Sequence, residues 1–134
     1  MSAPAAVREG GCCCGALRFR VEGEPRRVGV CHCLDCRKLH GAPFMSFAVF
    51  DRAQVQVTGV FHRFHTQPAY LRCFCPTCGS HVFAEDAGGI ELYHGGFDQP
   101  DLFPPTYELW TVRRESWLEL PTLTEHHVRN REAR

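Results

Sequence analysis

Apolar and polar side chains alternate along much of this chain. In "ALRFRVEG", Leu17, Phe19 and Val21 alternate with Arg18, Arg20 and Glu22. That is the period of a strand with one buried face, closed by a turn at Gly23 to Pro25. "PFMSFAVF" and "VQVTGVFHRFH" predict further strands, with Gly59 as the turn between Val57 and Phe61. "HVFAED" and "GIELYHGGF" predict a hairpin through Ala87, Gly88 and Gly89. Helical character is confined to "LDCRKLHG", stopped by Gly41 and Pro43. The predicted fold class is therefore mainly β, with one short helix.

The segment "DQPDLFPP" reads as a loop stiffened by prolines, and "LTEHHVRNREAR" as a polar end, frayed or weakly helical. His126 and His127 within it read as solvated residues rather than metal ligands. No repeat period, low-complexity tract or linker divides the chain. Its 134 residues suit one domain. Residues 1–9 and 122–134 are the expected flexible ends.

Composition narrows the function classes. Lys and Arg together number 15, as do Asp and Glu, so there is no electrostatic footprint for nucleic acid or an acidic membrane surface. The start "MSAPAAVREGG" lacks the basic and apolar regions of a secretory signal, and no apolar run approaches the roughly 20 residues of a membrane span. A soluble, cytoplasmic protein is expected, without nucleic-acid or membrane partners. In that reducing compartment the nine cysteines point to metal or catalysis before disulfides.

The cysteines fall into groups: Cys12 and Cys14 in "GCCCGA", Cys31, Cys33 and Cys36 in "CHCLDC", and Cys75 and Cys78 in "CPTCGS". The outer pairs can together make one four-thiolate zinc site, a saturated structural site that would staple the first strand to the later sheet. Three thiolates from the middle group would leave one tetrahedral position for water or substrate, the usual mark of a catalytic zinc. Such a site carries formal charge of minus one and, being rich in sulfur, suits an incoming thiol better than a hydrolytic water. His32, Asp35, His40, Cys13 or Cys73 could instead close it and make it structural. Cys13 faces away from Cys12 and Cys14 if the segment is extended, as a small buried hydrophobe. Cys73 reads as a core residue.

Taken together, "GGCCCGALRF", "CHCLDCRKLHGAPF" and "FCPTCGS", followed by "GGFDQPDLFPP" and Trp117, resemble the glutathione-dependent formaldehyde-activating enzyme family. The resemblance runs from about Gly10 to Trp117. It implies the zinc-bearing, mainly β fold called the β-tent and two zinc ions. Cys12, Cys14, Cys75 and Cys78 would hold the structural ion, and Cys31, Cys33 and Cys36 the catalytic one. The implied activity is addition of glutathione to formaldehyde, giving S-hydroxymethylglutathione, a reaction of the carbon–sulfur lyase class. One departure stands out: Glu108 occupies the approximate place where many family members carry a histidine.

A thiol adding to an aldehyde needs a group to protonate the developing alkoxide, for which His32, His40, Tyr93 and His94 are chemically able. Recognition of glutathione's carboxylates needs cations. Arg37, beside a ligand, leads Lys38, Arg113 and Arg114. Phe44 and Phe97 are candidate walls of the substrate pocket. Two other classes stay open: a zinc-stabilised protein-binding module without catalysis, and a thiol-based redox or metal sensor. The oligomeric state is not legible.

Overall fold

The computed structural model describes residues 4–131. Among these residues eleven strands form in chain order: β1 (Val7–Gly11), β2 (Arg18–Glu22), β3 (Arg27–Cys31), β4 (Met45–Phe50), β5 (Val55–Thr58), β6 (His62–Gln67), β7 (Tyr70–Phe74), β8 (His81–Asp86), β9 (Gly89–Tyr93), β10 (Tyr107–Leu109) and β11 (Glu125–His126). Among the described residues there is one α-helix, α1 (Leu34–His40), which follows β3. It ends where Gly41 adopts the left-handed conformation, as the sequence predicts.

Two sheets carry the fold. A three-stranded antiparallel sheet has the order β1-β2-β5, and an eight-stranded sheet has the order β11-β10-β3-β4-β9-β8-β7-β6. Within the larger sheet β10 runs parallel to β3, and β11 parallel to β10. The mainly β, β-tent expectation with one short helix holds, except that the helix begins within the cysteine triple and contains Cys36 instead of following it.

Alternation sorts the large sheet's side chains onto two buried faces. Ala48 and Phe50 of β4 and Ile90 and Leu92 of β9 join Phe19 and Val21 of β2, and Leu17 just before it, in one core. Met45, Phe47 and Val49 of β4, with Ala84, Tyr93 and Tyr107, form a second core on the opposite face together with Cys31 and Cys36. The register of β7 with β8 shifts between Cys73 and Phe74, which lets adjacent Val82 and Phe83 both enter the first core.

Gly59 does turn the chain, but not within a hairpin. β5 pairs with β2 whereas β6 pairs with β7, so Gly59 carries the chain from one sheet to the other. Its φ of 104°, and a Cβ that would meet the Ala16 carbonyl oxygen at 2.1 Å, admit glycine alone.

The ends differ from the sequence reading. Val7–Gly11 is a full strand on β2, and Glu125–His126 pairs with β10. His127 N–H donates to the Glu108 carbonyl at 2.9 Å. A two-residue strand among polar neighbours carries no periodic signal, and its order comes from the edge of β10 that it covers. Met1–Ala3 and Glu132–Arg134 lie outside the described residues. Among the described residues no helix is long and apolar enough to cross a membrane.

Candidate metal centres

The first centre is built from two turns. Cys12 and Cys14 leave β1, and Cys75 and Cys78 connect β7 to β8, so the centre joins the small sheet to the large one. The four sulfurs lie within 4.8 Å of one another. Cys12 and Cys14 sulfurs are 3.5 Å apart, and those of Cys14 and Cys75 3.8 Å. A tetrahedral thiolate site with zinc–sulfur bonds near 2.3 Å has edges of about 3.8 Å, so the donors fit. Leu17 N–H donates to the Cys12 sulfur at 3.2 Å, and Gly79 N–H closes the second turn on the Cys75 carbonyl at 2.8 Å.

Cys13 overturns its expectation. The segment turns instead of extending, so Cys13 is exposed and its N–H donates to Ser80 Oγ at 3.0 Å. Cys73 is fully buried in the first core as expected, and burial pushes its thiol up to about 12.

The second centre holds Cys31 at the end of β3, Cys33 as the N-cap of α1 and Cys36 inside the helix. The Cys33 sulfur accepts from Cys36 N–H at 3.3 Å and lies 3.0 Å from the Cys36 sulfur. Hydrogen bonds from Cys31 and Cys36 hold the Cys33 thiol far below its ordinary value, while those with Cys33 and Cys36 push Cys31 far above it. Three sulfurs this close ionise together only beside a cation. All three lie within 4.8 Å of one another.

No fourth protein ligand joins them among the described residues. His32 points into the opposite contact, its Nε2 2.8 Å from Glu108 Oε1. His40 packs on His81 and Tyr93, with centroids 5.4 and 4.6 Å away. Asp35 is exposed. Cys13 belongs to the surroundings of the first centre, and Cys73 to the other face of the sheet.

The triple instead opens on a cavity of about 150 Å³, whose wall includes Phe47, Tyr70, Arg72, Glu91 and Trp110. Trp110 sits in the left-handed conformation at φ 59°. It is tied to the C-terminal segment, through its N–H to Arg129 O at 3.1 Å and its indole N–H to Asn130 Oδ1 at 2.9 Å.

Arg72 is the cation at this centre. It is 2% exposed, with Nη2 3.6 Å from Cys36 Sγ, Nε donating to Thr66 Oγ1 at 3.0 Å, and Nη1 buried with no protein partner among the described residues.

The sequence-predicted pocket residues lie elsewhere. Arg37 donates to Glu115 Oε1 at 2.6 Å and to the Pro43 carbonyl at 3.1 Å, bracing the helix against the chain after β10. Phe97 stacks edge-on against Phe19 and Phe103 in the first core, with centroids 5.1 and 5.6 Å away. Phe44 lies 5.9 Å from the His32 ring, away from the cavity. His94 is committed through Nε2 to the Phe103 carbonyl at 2.8 Å. Conversely Tyr70, Arg72 and Glu91 went unread. The available signal was the alternation of "YLRCF", which puts Tyr70 and Arg72 on one face and Leu71 and Cys73 on the other.

A tent of two sheets that carries a four-sulfur cluster in its turns and a three-sulfur cluster facing a cavity defines a small β protein with two sites that could hold metal ions. The chain belongs to the glutathione-dependent formaldehyde-activating enzyme family, whose model matches residues 7–113. Among curated proteins it is similar to an uncharacterized lyase of Schizosaccharomyces pombe, 27% identical over 85 residues, which are 63% of this chain and 62% of that protein. The chain thus spans less than two thirds of that relative's length.

Proposed function

We propose that this protein is a zinc-dependent carbon–sulfur lyase that adds a small thiol of the glutathione kind to a small aldehyde such as formaldehyde, and reverses the addition. One observation carries the reading: three mutually close cysteine sulfurs face a cavity while no fourth protein ligand joins them among the described residues. Family membership and the relative's description as a lyase support the reaction class.

When bound by Cys31, Cys33 and Cys36, a zinc ion supplies one open position and the positive charge that lowers a thiol's pKa. The chain's own residues do the rest. Arg72 offsets the negative charge of the sulfur cluster and presents a buried N–H near the place where carbonyl oxygen gains charge. Phe47 and Trp110 wall the cavity with apolar surface. About 150 Å³ equals the liquid share of roughly five waters, enough for a thiol's reacting end and a small aldehyde. The bulk of a glutathione-sized thiol then lies outside. Cys12, Cys14, Cys75 and Cys78 hold the structural ion in this reading, within one domain. The free cysteines suit a reducing, cytoplasmic setting.

The test is native mass spectrometry of wild type and Cys33→Ser, with glutathione titrated calorimetrically into each. We expect two zinc ions and saturable thiol binding in the wild type, one ion and no binding in the variant. Two firmly held ions with no affinity for glutathione or small thiols would replace the enzyme with a zinc-stabilised protein-binding module.

A further inference from the structure

Resting on the carbon–sulfur lyase reading, we infer that Glu91 is the proton donor and acceptor of this reaction and that Tyr70 is its positioning residue. Three of the four sequence candidates are otherwise engaged, His32 with Glu108, His94 with a carbonyl and His40 against His81, and the fourth, Tyr93, lines a different cavity from that of the three cysteines. Glu91, by contrast, lines the same cavity as the three cysteines.

Strand register explains its place. Arg72 of β7 pairs with Ala84 of β8, Ala84 with Glu91 of β9, and Glu91 with Val49 of β4, which in turn pairs with Arg27 of β3. These residues form one row across the sheet, on the face that carries the triple. Ala84, fully buried between the two charged residues, is small enough to leave the space above it to their side chains. Tyr70, two residues before Arg72 on the same face, donates its hydroxyl to Glu91 Oε2 at 2.5 Å. That bond fixes the carboxyl and leaves Oε1 to carry the moving proton.

Electrostatics supports the assignment. Burial pushes the Glu91 carboxyl up to about 7, against the hydrogen bond from Tyr70 and the charges of Arg27 and Arg72, with Asp86 adding to the rise. Tyr93 on the same strand and Tyr107 from β10 also feel this carboxyl. Near neutral pH both protonation states are therefore populated, as one group serving both directions requires.

The step balances. The thiol loses its proton to solvent on binding. Its sulfur electron pair forms the new C–S bond as the carbonyl π bond breaks, and the Glu91 carboxyl gives its proton to the resulting alkoxide. The carboxylate is reprotonated from solvent. In reverse, the carboxylate takes the hydroxyl proton, the C–S bond breaks and the carbonyl re-forms.

The experiment combines two readouts on zinc-loaded protein. The first is the initial rate of adduct formation from glutathione and ¹³C-formaldehyde. The second is the titration of Glu91 by NMR of side-chain ¹³C-labelled glutamate. Glu91→Gln should bind glutathione as wild type does but form adduct about 10²- to 10³-fold more slowly. In wild type the rate should fall as pH rises through the Glu91 midpoint. Because Tyr70 stabilises the carboxylate, Tyr70→Phe should move both the midpoint and that falling limb to higher pH. A Glu91→Gln rate equal to wild type, or a Tyr70→Phe midpoint that moves without the limb, overturns the assignment and leaves the lyase reading standing. A wild type that binds no thiol and forms no adduct overturns both.

Discussion

The guanidinium of Arg72 lies with Nη2 3.6 Å from the sulfur of Cys36, and the residue is only 2% exposed. A charge buried so deeply persists only with a partner. Burial opposes its ionisation, but the charge and hydrogen bond of Cys36 hold the guanidinium above its ordinary pKa. The relationship also works in reverse. Three thiolates around one divalent ion leave the cluster with an excess negative charge, which Arg72 brings back toward neutrality.

Replacing Arg72 with Met should therefore weaken metal binding at the triple by about 10- to 100-fold, the usual cost of removing a group that supports a ligand from behind. Arg72→Lys should recover only part of it, since an ammonium cannot bond Cys36 and Thr66 together through a planar fork. Competition against a chromophoric chelator reads both affinities. Equal affinity in wild type and the Met variant would show that the cation does not support the metal.

The two centres should fail differently when broken. Cys78 helps tie the β7–β8 turn to the β1–β2 turn, residues more than sixty positions apart in sequence, whereas the triple spans one strand end and one helix. Cys78→Ser should lower the melting temperature by about 10 °C or more, the scale of a lost long-range staple. Cys33→Ser should lower it far less. Thermal melts of both variants decide this, and matching losses would refute the division of labour.

Much of this arrangement was legible because its signals are local. The alternation of β2 and β4, the glycine stop of α1 and the spacing of the four turn cysteines each lie within a few residues, and each reads correctly. What escaped depends on what covers a strand. Arg72 and Glu91 look like solvent-facing charges of half-buried strands, yet both faces of the large sheet are covered where they stand. Arg37 looked free beside a ligand until Glu115, far along the chain, took its guanidinium. Phe97 could wall a pocket or fill a core, and only the position of Phe19 and Phe103 decides for the core.

Glu108 should make stability depend on acid pH. This carboxylate is 1% exposed and meets His32 at 2.8 Å, Arg114 at 2.7 Å and His126. Burial raises its pKa, but the bonds from His126 and His32 and the charge of Arg114 prevail and bring it below the ordinary 4.5. A carboxyl depressed by folding adds stability that is complete above 4.5 and disappears as pH falls through the folded value. Glu108→Gln should cost about 1–3 kcal/mol at neutral pH and flatten the loss of stability below the ordinary carboxylate range. Urea titrations from neutral to acid pH measure both. A variant with the wild-type slope would assign acid sensitivity to other carboxylates.

Gly29 ties the fold to the cavity in a way that can be broken without touching either cysteine cluster. It pairs in register with Tyr107, the first residue of β10, and a Cβ at Gly29 would meet the Tyr107 ring at 2.5 Å. The ring is buried and packed edge-on against Phe47, so β10 itself has to give way. β10 ends at Leu109, next to Trp110, and both line the cavity at the triple. Gly29→Ala should therefore cost about 1–3 kcal/mol through overpacking. It should weaken thiol binding more than tenfold while both metal ions remain. Melting curves, native mass spectrometry and calorimetry on the same sample separate these effects. Unimpaired thiol binding in a destabilised variant would mean that the β10 wall takes no part in holding substrate.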